Sequence, residues 1–156
     1  MSYNWLLLLH LSGAFLFVSG ALAAAVLRIA AIRQARPSEA ALLLGAVRPV
    51  VPLIGLGVVL VLVFGFWLAD DGGWALGSSW LVATFALLGW TVVLGAVAGR
   101  ADRHTRELAE RLAAAGDEPS AELARRLRDP VSLALNGSML VAVSAIVVLM
   151  VFKPGA

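Results

Sequence analysis

This chain predicts an all-α, polytopic membrane protein: an antiparallel bundle of four transmembrane helices, both termini outside, with helical extensions in the cytoplasm. Three observations predict it. Of 156 residues, 61% are apolar and only 14% charged, against about 45–50% and about 25% in soluble domains. Four uncharged stretches reach the roughly 20 residues that a bilayer core about 30 Å thick requires of a helix. The arginines are concentrated in two of the three connections between those stretches. So much apolar surface with so few charges excludes a soluble globular domain, a disordered chain and a nucleic-acid-binding module. The absence of cysteine excludes disulfides, thiolate nucleophiles and iron–sulfur clusters. The whole chain, 1–156, reads as a single integral membrane domain.

The first span covers about 5–27. It lacks a basic leader, is too long for a signal-peptide core and is followed by arginines, so it is expected to stay with the chain as a membrane helix. The second covers 49–68, the third 78–99 and the fourth 131–152. Connection 28–48 holds Arg28, Arg33, Arg36 and Arg48, and connection 100–130 holds Arg100, Arg103, Arg106, Arg111, Arg125, Arg126 and Arg128. The connection between the second and third spans has Asp70 and Asp71 and no basic residue. The positive-inside rule therefore puts both Arg-rich loops in the cytoplasm. The sequence pI near 9.9 reports orientation, and no nucleic-acid partner is expected. Trp5, Trp67, Trp74 and Trp80 fall at the outer interface, where amphipathic rings prefer to sit.

Within the first loop, Ser38 before Glu39 and Ala40 reads as a helix N-cap. That helix is expected to run into the second span with a kink at Pro49 and Pro52. In the second loop, residues 100–115 extend the third helix up to Gly116. Asp102/Arg106, Glu107/Arg111 and Glu122/Arg126 have the i,i+4 spacing that supports a solvated helix. A short amphipathic helix follows Pro119 and ends at Pro130.

The spans hold few polar residues. His10 lies inside the first, and an ionisable residue there is a functional hypothesis by default. His10, Gly13, Phe17, Gly20 and Ala24 share one helical stripe. An imidazole followed by glycines suits a flat ligand such as a porphyrin, with His10 on iron and Gly13 and Gly20 leaving room for the macrocycle. The plainer alternative is an imidazole hydrogen-bonded between helices. At the depth of His10 the antiparallel arrangement places Trp67, Trp80, Thr84, Met150 and Lys153. Met150 is a second candidate axial ligand; a core filler is its plainer role. His104 lies in the opposite compartment, as a solvated histidine. Thr84, Thr91, Ser132, Asn136, Ser138 and Ser144 are able to hydrogen-bond across helices. Gly89, Gly95 and Gly99 give the third helix a close-packing face, for a neighbour in the bundle or for a homodimer. Arg48 and Arg100 are expected to snorkel to the interface.

The Leu-His-x-x-Gly start at Leu9–Gly13, Gly20, Trp80-Leu81 opening the third span, and the tail Met150-Val-Phe-Lys-Pro-Gly155 resemble a family of uncharacterised bacterial four-span membrane proteins, a domain of unknown function. More distantly, His10, Gly13, Phe17, Gly20, Lys153 and Pro154 are similar to a pattern in the HemJ-type protoporphyrinogen oxidases, grouped with the copper-resistance CopD type. That resemblance implies haem b held by His10, with Lys153 near a propionate or substrate carboxylate, in the inner membrane of a bacterial cell. Thr84 stands where those oxidases have a lysine, and the third span has no histidine. The implication is thus haem binding, for electron transfer with a membrane redox partner or for haem handling, and no catalytic residue is assigned. The alternatives are a non-catalytic transporter or channel subunit for a small solute, and a helper subunit docked through its Arg-rich helices.

Overall fold

The computed structural model describes residues 2–154, so Gly155 of the tail motif lies outside them. The described residues form six helices and no strand: α1 (Tyr3–Ile32), α2 (Pro37–Ala46), α3 (Val50–Asp71), α4 (Ser79–Ala114), α5 (Ala121–Leu127) and α6 (Pro130–Phe152). Four segments are long and apolar enough to cross a membrane: α1, α2 with α3, α4, and α5 with α6. At 1.5 Å per residue the 36 residues of α4 reach about 54 Å, well beyond a bilayer core of about 30 Å. Its second half therefore projects past the Arg-rich end. The outward surface is apolar, with Phe15, Val141 and Phe152 fully presented, as lipid-facing positions require.

The spans are arranged as two helix pairs, α1 on α3 and α4 on α6. Lipid tails are as apolar as the side chains, so association in a bilayer rests on close packing at small residues. The α1–α3 contact shows this directly. A methyl group on Gly57 would come within 2.6 Å of the Phe17 nitrogen and 2.8 Å of the Gly13 carbonyl, and one on Gly13 within 2.6 Å of Leu60 Cβ. Only hydrogen at both positions lets the backbones approach so near. Across the seam between the pairs, Phe17 of α1 meets Leu88 of α4 and Val143 and Ile146 of α6. The glycine face expected on α4 has a different fate: nothing lies within 4 Å of a methyl group on Gly89, Gly95 or Gly99. The chain itself leaves that face uncovered.

At the Arg-rich end α1, α2, α4 and α5 enclose an apolar cluster of Ala31, Ala40, Leu44, Leu108, Ala109, Leu123 and Leu127. The loop helices are thus packed into a small core of the kind found in water-soluble proteins. The helix of the first loop does run into the second span: three turn residues, 47–49, interrupt it at Pro49 with Val47 and Pro49 still helical in backbone, and α3 continues through Pro52. Several other local expectations change here. The N-cap of α2 is Arg36 with Pro37 at the first helical position. Ser38 therefore sits inside the first turn and gives its backbone N–H and its hydroxyl to the two carboxylate oxygens of Asp117, at 2.7 and 2.6 Å. Those two bonds hold the Asp117 carboxyl below the usual carboxylate range.

Asp102 forms its ion pair with the buried Arg28 of α1, not with Arg106. Arg106 instead lies 3.4 Å from Glu110, and Arg111 donates to the Glu107 backbone carbonyl at 3.3 Å. Glu122 and Arg126 do pair, at 3.3 Å. α4 ends before Gly116 (φ 129°), and α5, capped by Ser120, ends before Pro130, both as expected. The hydroxyls and amide expected to bridge helices turn back onto their own. Thr84 donates to the Trp80 carbonyl, Thr91 to Leu88, Asn136 to Ser132, Ser138 to Leu135 and Ser144 to Leu140. A carbonyl three or four residues back is within reach of a short polar helical side chain, and among the described residues none of these five bonds another helix.

Candidate functional site

At the end opposite the arginines, the seam between the two helix pairs opens into a cavity of about 270 Å³ whose walls include His10, Gly65, Trp74, Trp80, Met150 and Lys153. α1 brings His10, α3 brings Gly65, α4 brings Trp80 and α6 brings Met150, with Lys153 as the C-cap that follows it. Three residues singled out in the sequence, His10, Met150 and Lys153, are thus gathered into one space. Gly13, Phe17 and Gly20 are not part of it. α3 occupies the room that these glycines leave: Leu60 faces Gly13, and a methyl group on Gly20 would come within 2.5 Å of Ile54 Cγ1.

His10 Nδ1 is 3.2 Å from the backbone carbonyl of Val61 on α3. The imidazole therefore does make the interhelical hydrogen bond of the plainer alternative. A carbonyl only accepts, so Nδ1 carries the proton, and in the neutral ring the Nε2 lone pair is left without that partner. The ring fits because Gly65 has no side chain. A methyl group there would stand 3.1 Å from His10 Cε1, so the neighbouring ring would have to give way.

The opposite wall is aromatic. After α3 ends in the turn at Gly72 and Gly73 (φ 67°), the Trp74 N–H donates to the Ala69 carbonyl at 2.8 Å. The Trp74 indole folds over Gly72, where a methyl group would come within 2.6 Å of Nε1. Trp74 meets Trp80 edge to face, with ring centroids 5.8 Å apart and planes at 87°. Lys153 Nζ stands 4.8 Å from the centroid of Trp74 and 5.7 Å from that of Trp80, within cation–π range. Trp80 corrects the expectation of an outer aromatic belt. Trp5 and Trp67 are exposed as such a belt requires, but Trp80 is only 4% exposed, and its Nε1–H has no hydrogen-bond partner among the described residues. A buried N–H without an acceptor is costly, and Lys153 beside it is a second donor. The cavity therefore has the Lys153 ammonium on one side, His10 on the other and largely apolar walls between, while the Trp80 N–H is sealed in the packing beside it.

Sequence reasoning missed Trp80 as an inward-facing donor, the Val61 carbonyl and the roles of Gly57 and Gly65. Backbone carbonyls carry no sequence signal, and a tryptophan near a membrane interface looks the same whether it faces lipid or core. His104, 70% exposed and 3.7 Å from Glu107, is solvated as expected. Among the described residues no group of three or more histidine, aspartate or glutamate side chains is placed to hold a metal ion.

A four-span helical bundle with a lipid-facing apolar surface and a cavity inside one end defines an integral membrane protein. Within that class, the chain matches over residues 4–154 the model of DUF2269, described as a predicted integral membrane protein, and it belongs to that family. Neither the curated proteins nor the solved structures provide a match.

Proposed function

We propose that the protein binds haem b in this cavity, with His10 as an axial ligand, for electron transfer with a partner in the same membrane or for haem handling. The observation that carries the reading is the hydrogen bond from His10 Nδ1 to Val61. A metal-ligating histidine characteristically donates its other ring nitrogen to a carbonyl or carboxylate, which fixes the tautomer and raises the basicity of the ligating atom. The rest of the donor set suits the same group. Met150 supplies a thioether to the same cavity, and Lys153 supplies a cation for a propionate. Haem would contribute one-electron iron chemistry. The chain's part is to hold Nε2 unprotonated, to place a cation beside the carboxylate and to keep water out with aromatic and aliphatic walls. At about 270 Å³ the cavity lies just below the roughly 300–1,000 Å³ of sites for drug-sized ligands. It admits a whole porphyrin only with the helix pairs further apart than they stand here.

That size favours one other reading, a subunit that binds or passes a small solute carrying a carboxylate, held by Lys153. The visible spectrum of detergent-purified protein, before and after added haem and dithionite, separates the two. The haem reading expects a Soret band that shifts on reduction and is lost in His10→Ala while the helical circular dichroism is kept. A wild-type protein that stays colourless with added haem refutes it. Carboxylate binding that depends on Lys153 and not on His10 would favour the solute.

A further inference from the structure

The opposite end of the bundle holds a second cavity. It measures about 570 Å³ and lies where the ends of α1 and α2 meet the start of α3 and the middle of α4. Four of its lining side chains are arginines, Arg28, Arg48, Arg103 and Arg106, against two carboxylates, Asp102 and Glu107. Asp102 is already engaged with Arg28; Glu107 is about half exposed and stands 3.7 Å from His104. Two acids outside the lining add to the balance: Glu110, 3.4 Å from Arg106, and Asp129, whose charge acts on Arg28 while its carboxylate caps α6 through the Ser132 N–H.

Arg28 is the most buried member, 3% exposed, and it shares with Arg106 a buried Nε that has no hydrogen-bond partner among the described residues. A buried guanidinium with an orphaned donor is expensive unless a further acceptor comes to it. Arg48 and Arg103 are exposed on the same cavity wall, where neither forms a side-chain hydrogen bond or ion pair with the described residues. The guanidinium fork matches the geometry of phosphate oxygens and is the residue of choice for binding them. The remaining wall is apolar, formed by Val47, Val51 and Pro52, where the membrane span begins.

We propose that this cavity binds a phosphate group, with Arg48 and Arg103 as its contacts and Arg28 as the buried charge behind them. The phosphate belongs either to the headgroup of an anionic lipid, whose chains would run down past Val51, or to a soluble phosphate compound.

The test uses the full chain purified in a sugar-headed detergent free of phosphate. Its melting midpoint is followed during titration with inorganic phosphate, with phosphatidylglycerol, and with sodium chloride at matched ionic strength. A rise with inorganic phosphate assigns a soluble ligand, and a rise with phosphatidylglycerol alone assigns a lipid. Either supports the site, provided that chloride does not reproduce it and that Arg48→Gln/Arg103→Gln weakens binding by about tenfold or more, as loss of charged hydrogen bonds predicts. Both arginines are exposed, so this variant is expected to fold; Arg28 is left in place because its pairing with Asp102 is part of the packing. No shift with either phosphate source, or an equal shift in the double variant, overturns the proposal.

Discussion

The two ends of the bundle are held together by different forces. At the Arg-rich end, water surrounds α2, α5 and the second half of α4, and the cluster around Leu127 and Ala109, 2% and 0% exposed, is driven together by the hydrophobic effect. Between α1 and α3, inside the apolar layer, that drive is absent, and the contact depends on Gly13 and Gly57 letting two backbones meet. The first end tolerates loose fit at a cost proportional to apolar area; the second depends on shape. The His10 cavity lies in the shape-dependent part, where the seam between the helix pairs leaves room and His10 is held by a hydrogen bond to Val61.

Three substitutions test this contrast, from the largest expected effect to the smallest. Gly57→Leu puts side-chain atoms where the Phe17 backbone already stands, and no rotamer avoids that clash. It is expected to separate α1 from α3, read as loss of a monodisperse peak and of the cooperative melt in detergent. Gly55→Leu, at a position with open space around it, is the control and should melt like the wild type. A normal melt for Gly57→Leu would break the comparison.

Leu127→Ala opens a cavity in the water-facing core and should cost about 2–5 kcal/mol, the range for buried leucines, while leaving any ligand of the His10 cavity bound. Denaturant melts with and without that ligand check both halves of the statement.

The smallest effect concerns Asp117. Its carboxyl is depressed by the Ser38 hydroxyl and N–H, so the charged form favours the folded state. That contribution is fully present above the unfolded value of about 3.9 and is lost as the pH falls through the lower folded value. The protection factors of the amides in residues 37–46, taken against the intrinsic exchange rate at each pH, should therefore fall under acid conditions, and Asp117→Asn should remove that pH dependence. The substitution suits the backbone, since Asp117 has φ 60° and asparagine tolerates that region.

Much of the fold was legible in the sequence because it follows from length and polarity. Four apolar stretches, two Arg-rich connections and the stops at Gly116 and Pro130 predict the element order. Partner choice among the charges was not legible. Asp102 is four residues from Arg106 and 74 from Arg28, and only the packing of α1 beside α4 decides for the distant one. The glycines of α1 were legible as a close-approach surface, but sequence does not say what approaches, and α3 was the answer for Gly13 and Gly20. At the candidate site, the shared depth of His10, Met150 and Lys153 followed from antiparallel spans of equal length. The inward turn of Trp80 depends on the rotation of α4, which no residue pattern in that helix specifies.

Lys153 ends α6 in the left-handed region (φ 41°, ψ 59°), with its N–H on the Leu149 carbonyl. Helix ends of this shape favour glycine, because a side chain there costs about 1–2 kcal/mol. Exchanging Lys153 for glycine would thus relax the backbone and take away the cation that faces Trp74 and Trp80. At this residue the backbone and the cation–π contact pull in opposite directions, and a chain bred only for heat tolerance would be expected to discard the lysine first.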